Sequence, residues 1–372
     1  MRQNIKFLGK EFSSPLFLSA SPITSTTCIK YTQNGWEYDQ DELERKVKFI
    51  LEKYQEIGAI VLKTVYYPEE KDIKGEVQNT RVWYRRNNDF FHVGHTPREM
   101  LNLKELKEFL KREPIKKLSD RIIISLGIKH SDISLWETLW YELFNKENEL
   151  CEYNIIEINA RHTLREINMI YLGDRELDEY VINPVTEAVW NIVFQWFNLL
   201  NNLGNRSQKS LLIKLPFRSD LLILCQFIDE LIKKNKKYGM DYGIKGVTLI
   251  NTIKSPTADM AGGGRERKLL LCCEEVKLQQ MSGYSLKALR NWAIKTVNKK
   301  FPDIEISASG GLFTKEDIME AEVFGAKTFQ LCSLILKDGL EPIKKLKYED
   351  RELFDVRERV TKIGGKSTIL TN

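Results

Sequence analysis

Glu305–Ser333, reading EISASGGLFTKEDIMEAEVFGAKTFQLCS, is the stretch on which the fold turns. Ile304, Ile306 and Ala308 alternate into Gly310-Gly311, as a short strand running into a turn does. Thr314 is placed to cap a helix that starts near Lys315, and Gly325 to close it. Thr328–Leu331 then reads as a second buried strand. Both strand ends carry small residues, which let backbone N–H groups come close to an anion. Gly-Gly turns also occur in αβ proteins without ligands, so the rest of the chain has to decide the matter.

Working outward, short apolar runs recur between helical patterns. Strands are expected at Pro15–Ala20, Ala59–Lys63, Arg121–Leu126, Ile155–Asn159, Ser210–Leu215, Gly246–Asn251, Glu305–Ser309 and Thr328–Leu331. Their interiors are nearly continuous apolar runs, as parallel strands covered on both faces require. Helical spacing marks Asp41–Ile57, Leu103–Arg112, Leu135–Asn145, Pro184–Leu203, Asp220–Lys234, Ser285–Lys299 and Lys315–Phe324. Eightfold strand–helix alternation predicts an α/β fold of the (β/α)₈, or TIM, barrel type. A doubly wound open sheet is the alternative, but the G-x-G-x-x-G fingerprint is missing. In such a barrel the turns after strands seven and eight form the usual phosphate site. The opening stretch therefore predicts a phosphate-bearing cofactor.

Two connections, Tyr66–Leu101 and Ile253–Met281, are too long for plain βα loops and read as lids or small insertions. With no internal linker, residues 1–372 are expected to form one barrel domain, with an insertion at 66–101 and a variable tail at 347–372.

Across 372 residues, Lys+Arg exceed Asp+Glu by 57 − 52 = 5, and the hydrophobic content is 42%, enough for a large core. The lysine-rich tracts Lys233–Lys237 and Lys299–Lys300 read as solvated helix ends, where cations suit the dipole. Nucleic acid is not an expected partner; only the basic, aromatic loop Arg81–Arg86, with Trp83 and Tyr84, favours it. The cysteines at 28, 151, 225, 272, 273 and 332 include no C-x-x-C pair, which argues against a structural zinc or iron–sulfur site. His92 and His95 lack an evident third ligand, and the adjacent Cys272 and Cys273 read as incidental, so no metal is expected. No signal-like apolar region opens the chain, and no run approaches the ~20 apolar residues that span a bilayer. The expectation is a soluble, reduced, cytoplasmic protein with no membrane partner.

Polar residues close four of the expected strands, where a barrel places its site. They are Lys63-Thr64, Asn159 followed by Ala160-Arg161-His162-Thr163, Lys214 within LLIKLP, and Asn251-Thr252. A lysine in a buried strand must reach an acceptor or lose its charge. One such lysine reads as a structural ion pair; two lysines and two amides converging on one rim favour a site.

These pieces resemble the dihydroorotate dehydrogenase family of FMN-containing barrels, of the soluble class and related to dihydropyrimidine dehydrogenase. The resemblance runs from about Pro15 to about Ile343. It is carried by SPLFLSASP, GAIVLKT, IIEIN, LLIKLP, GVTLINT, MSGYSLKAL and the Gly-Gly stretch, through their number, order and spacing. It implies FMN as cofactor and pyrimidine metabolism as context. Lys214 would stabilise negative charge on the reduced ring, and Lys63 would lie near flavin and substrate. Ala20 and Ser21 would line the flavin, and Asn159 and Asn251 would offer amide contacts. Gly283, Gly310, Gly311, Cys332 and Ser333 would hold phosphate and ribityl chain through backbone N–H groups.

The substrate end departs from the family pattern. Where the family reads N-x-S-C-P-N, with Cys or Ser as general base, this chain has Asn159-Ala160-Arg161-His162-Thr163-Leu164. His162 thus takes the base position, Thr163 is a weaker candidate, and Leu164 replaces a substrate-binding asparagine. In the second motif, N-x-x-G-x-x-N, Phe91 and Pro97 replace asparagines. Cys332-Ser333 stands where the family has Gly-Thr. Two of four expected orotate-binding amides are lost, at about 1–3 kcal/mol each, which weakens orotate binding by a factor on the order of hundreds unless other groups substitute. Arg161, Arg85, Arg86 and the histidines are available to substitute.

The expected activity is FMN-dependent hydride transfer between flavin N5 and a C–C bond of a pyrimidine-like or other small cyclic substrate. His162, Lys214 and Lys63 are its catalytic residues, and Lys63, Asn159, Arg161, Asn251 and Thr252 are its substrate contacts. Two other readings stay open: true dihydroorotate dehydrogenation with an altered base, and a non-catalytic FMN-binding or regulatory barrel. The electron acceptor is unknown, and a homodimer is an expectation only.

Overall fold

A computed structural model describes residues 4–20, 29–32, 35–67, 82–86, 89–93, 101–128, 130–145, 150, 152–172, 187–218, 220–251, 253–256 and 278–347. Eight strands form the centre: β1 Leu16–Leu18, β2 Ile57–Val61, β3 Ile122–Ile128, β4 Ile155–Asn159, β5 Ser210–Lys214, β6 Gly243–Leu249, β7 Glu305–Ser309 and β8 Thr328–Leu331. Each is parallel to the next, β8 pairs with β1, and β3 pairs with β4, so the sheet closes on itself. All eight match the strands expected from sequence, and the (β/α)₈ barrel is confirmed.

Helices α1 Gln40–Lys53, α2 Leu103–Leu110, α3 Leu135–Phe144, α4 Ala160–Leu172, α5 Glu187–Ser207, α6 Leu221–Lys237, α7 Lys287–Lys300, α8 Lys315–Phe324 and α9 Ser333–Asp338 follow the strands in order. Helix α1 shows why they form. The Asp39 carboxylate accepts from the Asp41 and Glu42 N–H groups, and Leu43, Val47, Ile50 and Leu51 face the sheet. It ends at Lys53, short of the expected Ile57, which opens β2. Helix α8 carries the anticipated caps: a capping box between Thr314 and Asp317, and left-handed Gly325. No helix among the described residues is long and apolar enough to cross a membrane.

Three features were not anticipated. A hairpin of Ile5–Phe7 and Lys10–Phe12 precedes the barrel. Its Phe7, Leu8 and Phe12 pack on the inward-facing Phe17, Ala59, Val61, Ile123, Ile155 and Leu212, which plugs the amino-terminal end of the lumen. The Phe12 and Phe17 rings lie 4.8 Å apart. Next, the two long connections fold together. Strands Val82–Arg86 and Asp89–Val93 from the first pair with Ile253–Pro256 and Leu278–Gly283 from the second in one four-stranded antiparallel sheet. Finally, β4 runs into α4 with no intervening turn. The segment 160–164, read as a motif following strand four, is the helix's first turn. Ala160, Arg161, Leu164 and Arg165 are good helix formers, and no Gly or Pro interrupts them.

Candidate active site

The lumen changes character from bottom to top. Above the apolar plug lies a buried polar layer, which alternation along each strand turns inward. Lys214 Nζ is 3.4 Å from Ser19 Oγ, 3.5 Å from Glu157 Oε1 and 3.5 Å from Gln330 Oε1. The other Glu157 oxygen accepts from Gln330 Nε2 at 2.8 Å and Thr248 Oγ1 at 3.2 Å. Ser125 Oγ donates to Glu157 Oε1 at 3.1 Å. Five strands and Ser19, the residue after β1, thus contribute to one hydrogen-bonded cluster around a fully buried carboxylate. Of its members, sequence reading singled out only Lys214. Glu157 in IIEIN and Gln330 in TFQL carried the same signal, a polar residue inside an apolar run.

The cluster continues upward to the rim. Thr64 Oγ1 lies 2.9 Å from Ser125 Oγ, and Asn159 Nδ2 donates to Thr64 Oγ1 at 3.3 Å and to the Tyr66 hydroxyl at 3.2 Å. Asn251 Nδ2 donates to Asn159 Oδ1 at 3.1 Å. Tyr66 arrives here through an irregularity. Val61 pairs with Ile123, but Val65 pairs with Leu126, so the register offset falls from 62 to 61 across Leu62–Thr64. This bulge re-aims Thr64 and Tyr66 into the lumen mouth. Tyr66 covers Gly127, where a Cβ would sit 2.6 Å from its ring. Lys63 is half-buried within the bulge.

On α4, the His162 ring meets the Tyr66 ring edge-on, with centroids 4.9 Å apart. His162 is half-buried and Arg161 is buried beside it. The neighbouring residues serve the scaffold. Thr163 Oγ1 donates to the Ile128 carbonyl at 2.8 Å, which ties α4 to β3. Leu164 lies in the outer core, so the position expected to have lost a substrate contact points away from the lumen.

Beside this rim stand the glycine turns. Gly283, Gly310 and Gly311 have φ of 121°, 93° and 67°. A Cβ on Gly311 would lie 2.8 Å from the Lys287 nitrogen and 3.1 Å from the Gly283 carbonyl, so the turns after the Leu278–Gly283 strand and after β7 touch. Ser282 Oγ and Ser333 Oγ, 3.5 Å apart, link them to the turn after β8. The five residues expected to cradle a phosphate are thus brought together. Arg290 of α7 fixes the arrangement by donating to the Gly310 carbonyl at 2.7 Å. Burial pushes the Arg290 guanidinium down to about 10, although Asp317 and Glu320 favour its charge. Lys287 bridges the same carboxylates at 2.7 and 3.1 Å. Burial opposes its charge, but these hydrogen bonds prevail and raise its pKa.

Ala20 is half-buried at the end of β1 against the inner core, and Cys332 is half-buried before α9. Ser21, Thr252, Gly94, His95, Pro97, Cys272, Cys273 and the tail from 348 lie outside the described residues, as do the side chains of Phe91, His92 and Arg81–Arg86.

Fold and site together define a class: a closed parallel barrel with buried charge and amide groups at the carboxyl ends of its strands and glycine turns alongside. Among curated proteins the chain is similar to the catalytic subunits of dihydroorotate dehydrogenase B (NAD(+)) from Thermotoga petrophila and Thermotoga maritima, each 28% identical over 144 residues. The match covers 39% of this chain and 45% of each relative, so the chain spans less than half the length of the relatives it matches. No protein-family profile matches the chain.

Proposed function

We propose that the chain is an FMN-dependent oxidoreductase of the dihydroorotate dehydrogenase type, acting on a C–C bond of a pyrimidine-like or other small cyclic substrate. The observation that carries this reading is Lys214, held buried beneath two paired amides and beside a glycine cradle. The residues fit the cofactor. Backbone lies where a Cβ on Gly311 would sit, so only glycine fits this turn, and a turn free of side chains is the kind that can offer N–H groups to a phosphate. A buried cation offers charge where a flavin ring gains it on reduction.

Bound FMN supplies hydride exchange at N5. The chain does the rest. Gly283, Gly310, Gly311, Cys332 and Ser333 hold the phosphate and ribityl chain. Ala20, with Ser21 after it in sequence, would line the ring, and Lys214 would offer its ammonium to the electron-rich edge. Asn159 and Asn251 present amide groups to the ring site, while Lys63, Arg161 and Thr252 orient the substrate. A ring nitrogen of His162, beside Tyr66, takes or returns the proton. A separate acceptor would take the electrons, a reading supported by the relatives' description as catalytic subunits of an NAD(+) enzyme.

The purified protein is expected to be yellow. Protein refolded with excess FMN that shows neither flavin absorbance nor affinity would overturn the proposal. His162→Ala is expected to lower turnover by roughly 100-fold, as loss of a general base does; unchanged turnover would favour a non-catalytic barrel. The same similarity favours dihydroorotate as the first substrate to try. Bleaching of bound flavin on its addition would establish that activity, and no bleaching at any pH would exclude it.

A further inference from the structure

Lys214 Nζ lies 3.4–3.5 Å from three oxygen atoms, and the arrangement of those partners is uneven. Ser19 and Gln330 are neutral, and the only carboxylate among them is Glu157. Glu157 has no exposed surface, and each of its oxygens has two partners: Ser125 and Lys214 on one, Gln330 and Thr248 on the other. Gln330 closes the ring. Its amide nitrogen binds Glu157, and its amide oxygen faces both Lys214 and Ser19, the latter at 3.2 Å.

A buried ion pair is a poor way to stabilise a protein, since apolar residues of like volume do as well or better. The layer just below is apolar, so the lumen has no general need for charge at this height. Four strands other than β5, and Ser19 just after β1, nonetheless supply polar side chains to the cluster built on Lys214 and Glu157. An arrangement that breaks the local rule this consistently points to a functional demand on the lysine's position.

We infer that Glu157, oriented by Gln330, is a positioning residue for Lys214. It holds Nζ at a fixed height in the lumen and sets how much of the ammonium's charge a bound flavin feels. The inference rests on the flavin reading above and extends it. Reduction places extra negative charge on the ring; a lysine compensated by Glu157 stabilises that charge less than an uncompensated one. Glu157 therefore tempers the cofactor's potential.

The test is the midpoint potential of bound FMN, measured against a reference dye in wild type and Glu157→Gln, with melting temperature and flavin content recorded in parallel. Glu157→Gln is expected to retain stoichiometric FMN and to bind the reduced form at least tenfold more tightly relative to the oxidised form, a rise of about 30 mV for a two-electron couple. A lower melting temperature with an unmoved potential would reduce Glu157 to a structural partner and overturn the inference. Should Glu157→Gln fail to fold, Gln330→Met keeps both charges and removes the amide that orients Glu157 and faces Lys214. Its potential is expected to move from that of wild type, and an unmoved potential would overturn the inference. Failure of the wild type to bind FMN would be seen before any variant was made, and would overturn the flavin reading itself.

Discussion

Thr248 and Ser307 are register partners on β6 and β7, yet their hydroxyls stand differently. Thr248 Oγ1 donates to Glu157 and accepts from Gln330, whereas Ser307 Oγ is buried with no hydrogen-bond partner among the described residues. Thr248→Val should therefore cost about 1–3 kcal/mol, because it strands buried partners. Ser307→Ala should cost less than about 1 kcal/mol. Urea midpoints of the two variants decide it; equal losses would mean that the cluster is not energetically connected. At this scale the sequence was partly legible. Lys214 stood out because charge inside an apolar run demands a partner. Glu157 and Gln330 carried the same mark but could not be joined to it, since only strand pairing shows which side chains share the lumen.

Among elements, the strands were the most readable part, because burial on both faces writes itself as continuous apolar residues. The amino-terminal hairpin escaped notice because its strands have three residues each, too few for a period to appear. Helix α4 escaped because the family motif matched to its first turn suggested a loop, whereas its composition is that of a helix. The bulge before Tyr66 left no mark at all: Tyr66 was assigned to an insertion, yet Val65–Tyr67 pairs with β3. The Gly-Gly turn was expected to bring backbone close to an anion; what the structure shows close to Gly311 is the Lys287 backbone and the Gly283 carbonyl. Gly311→Ala places a methyl against the Lys287 backbone in a left-handed conformation, at a cost of about 1–3 kcal/mol. FMN affinity, followed by fluorescence, should fall alongside the melting temperature. A variant with unchanged FMN affinity would remove this turn from the cradle.

For the molecule as a whole, closure of the sheet leaves the plug and the mouth as the two ends of one lumen. Phe12→Ala empties part of the plug and should cost about 3–5 kcal/mol, read from denaturant unfolding. A loss under about 1 kcal/mol would mean that the hairpin merely rests on the barrel. If FMN is the cofactor, a free concentration one hundred times its Kd should stabilise the protein by about 2.7 kcal/mol, seen as a melting point that rises with added FMN. Riboflavin, which lacks the phosphate, should produce a smaller rise, and equal rises would argue against the glycine cradle.

The hairpin's phenylalanines make the barrel a stoppered tube. In the proposed site, a ligand bound over Lys214 would sit against Asn159, Asn251 and Tyr66 at the end of the lumen opposite the plug, and would come and go on that side. Arrival and departure then contend for one passage, so a spent product should compete with fresh reactant instead of slipping out behind it, and a molecule wedged across that doorway would halt traffic in both directions.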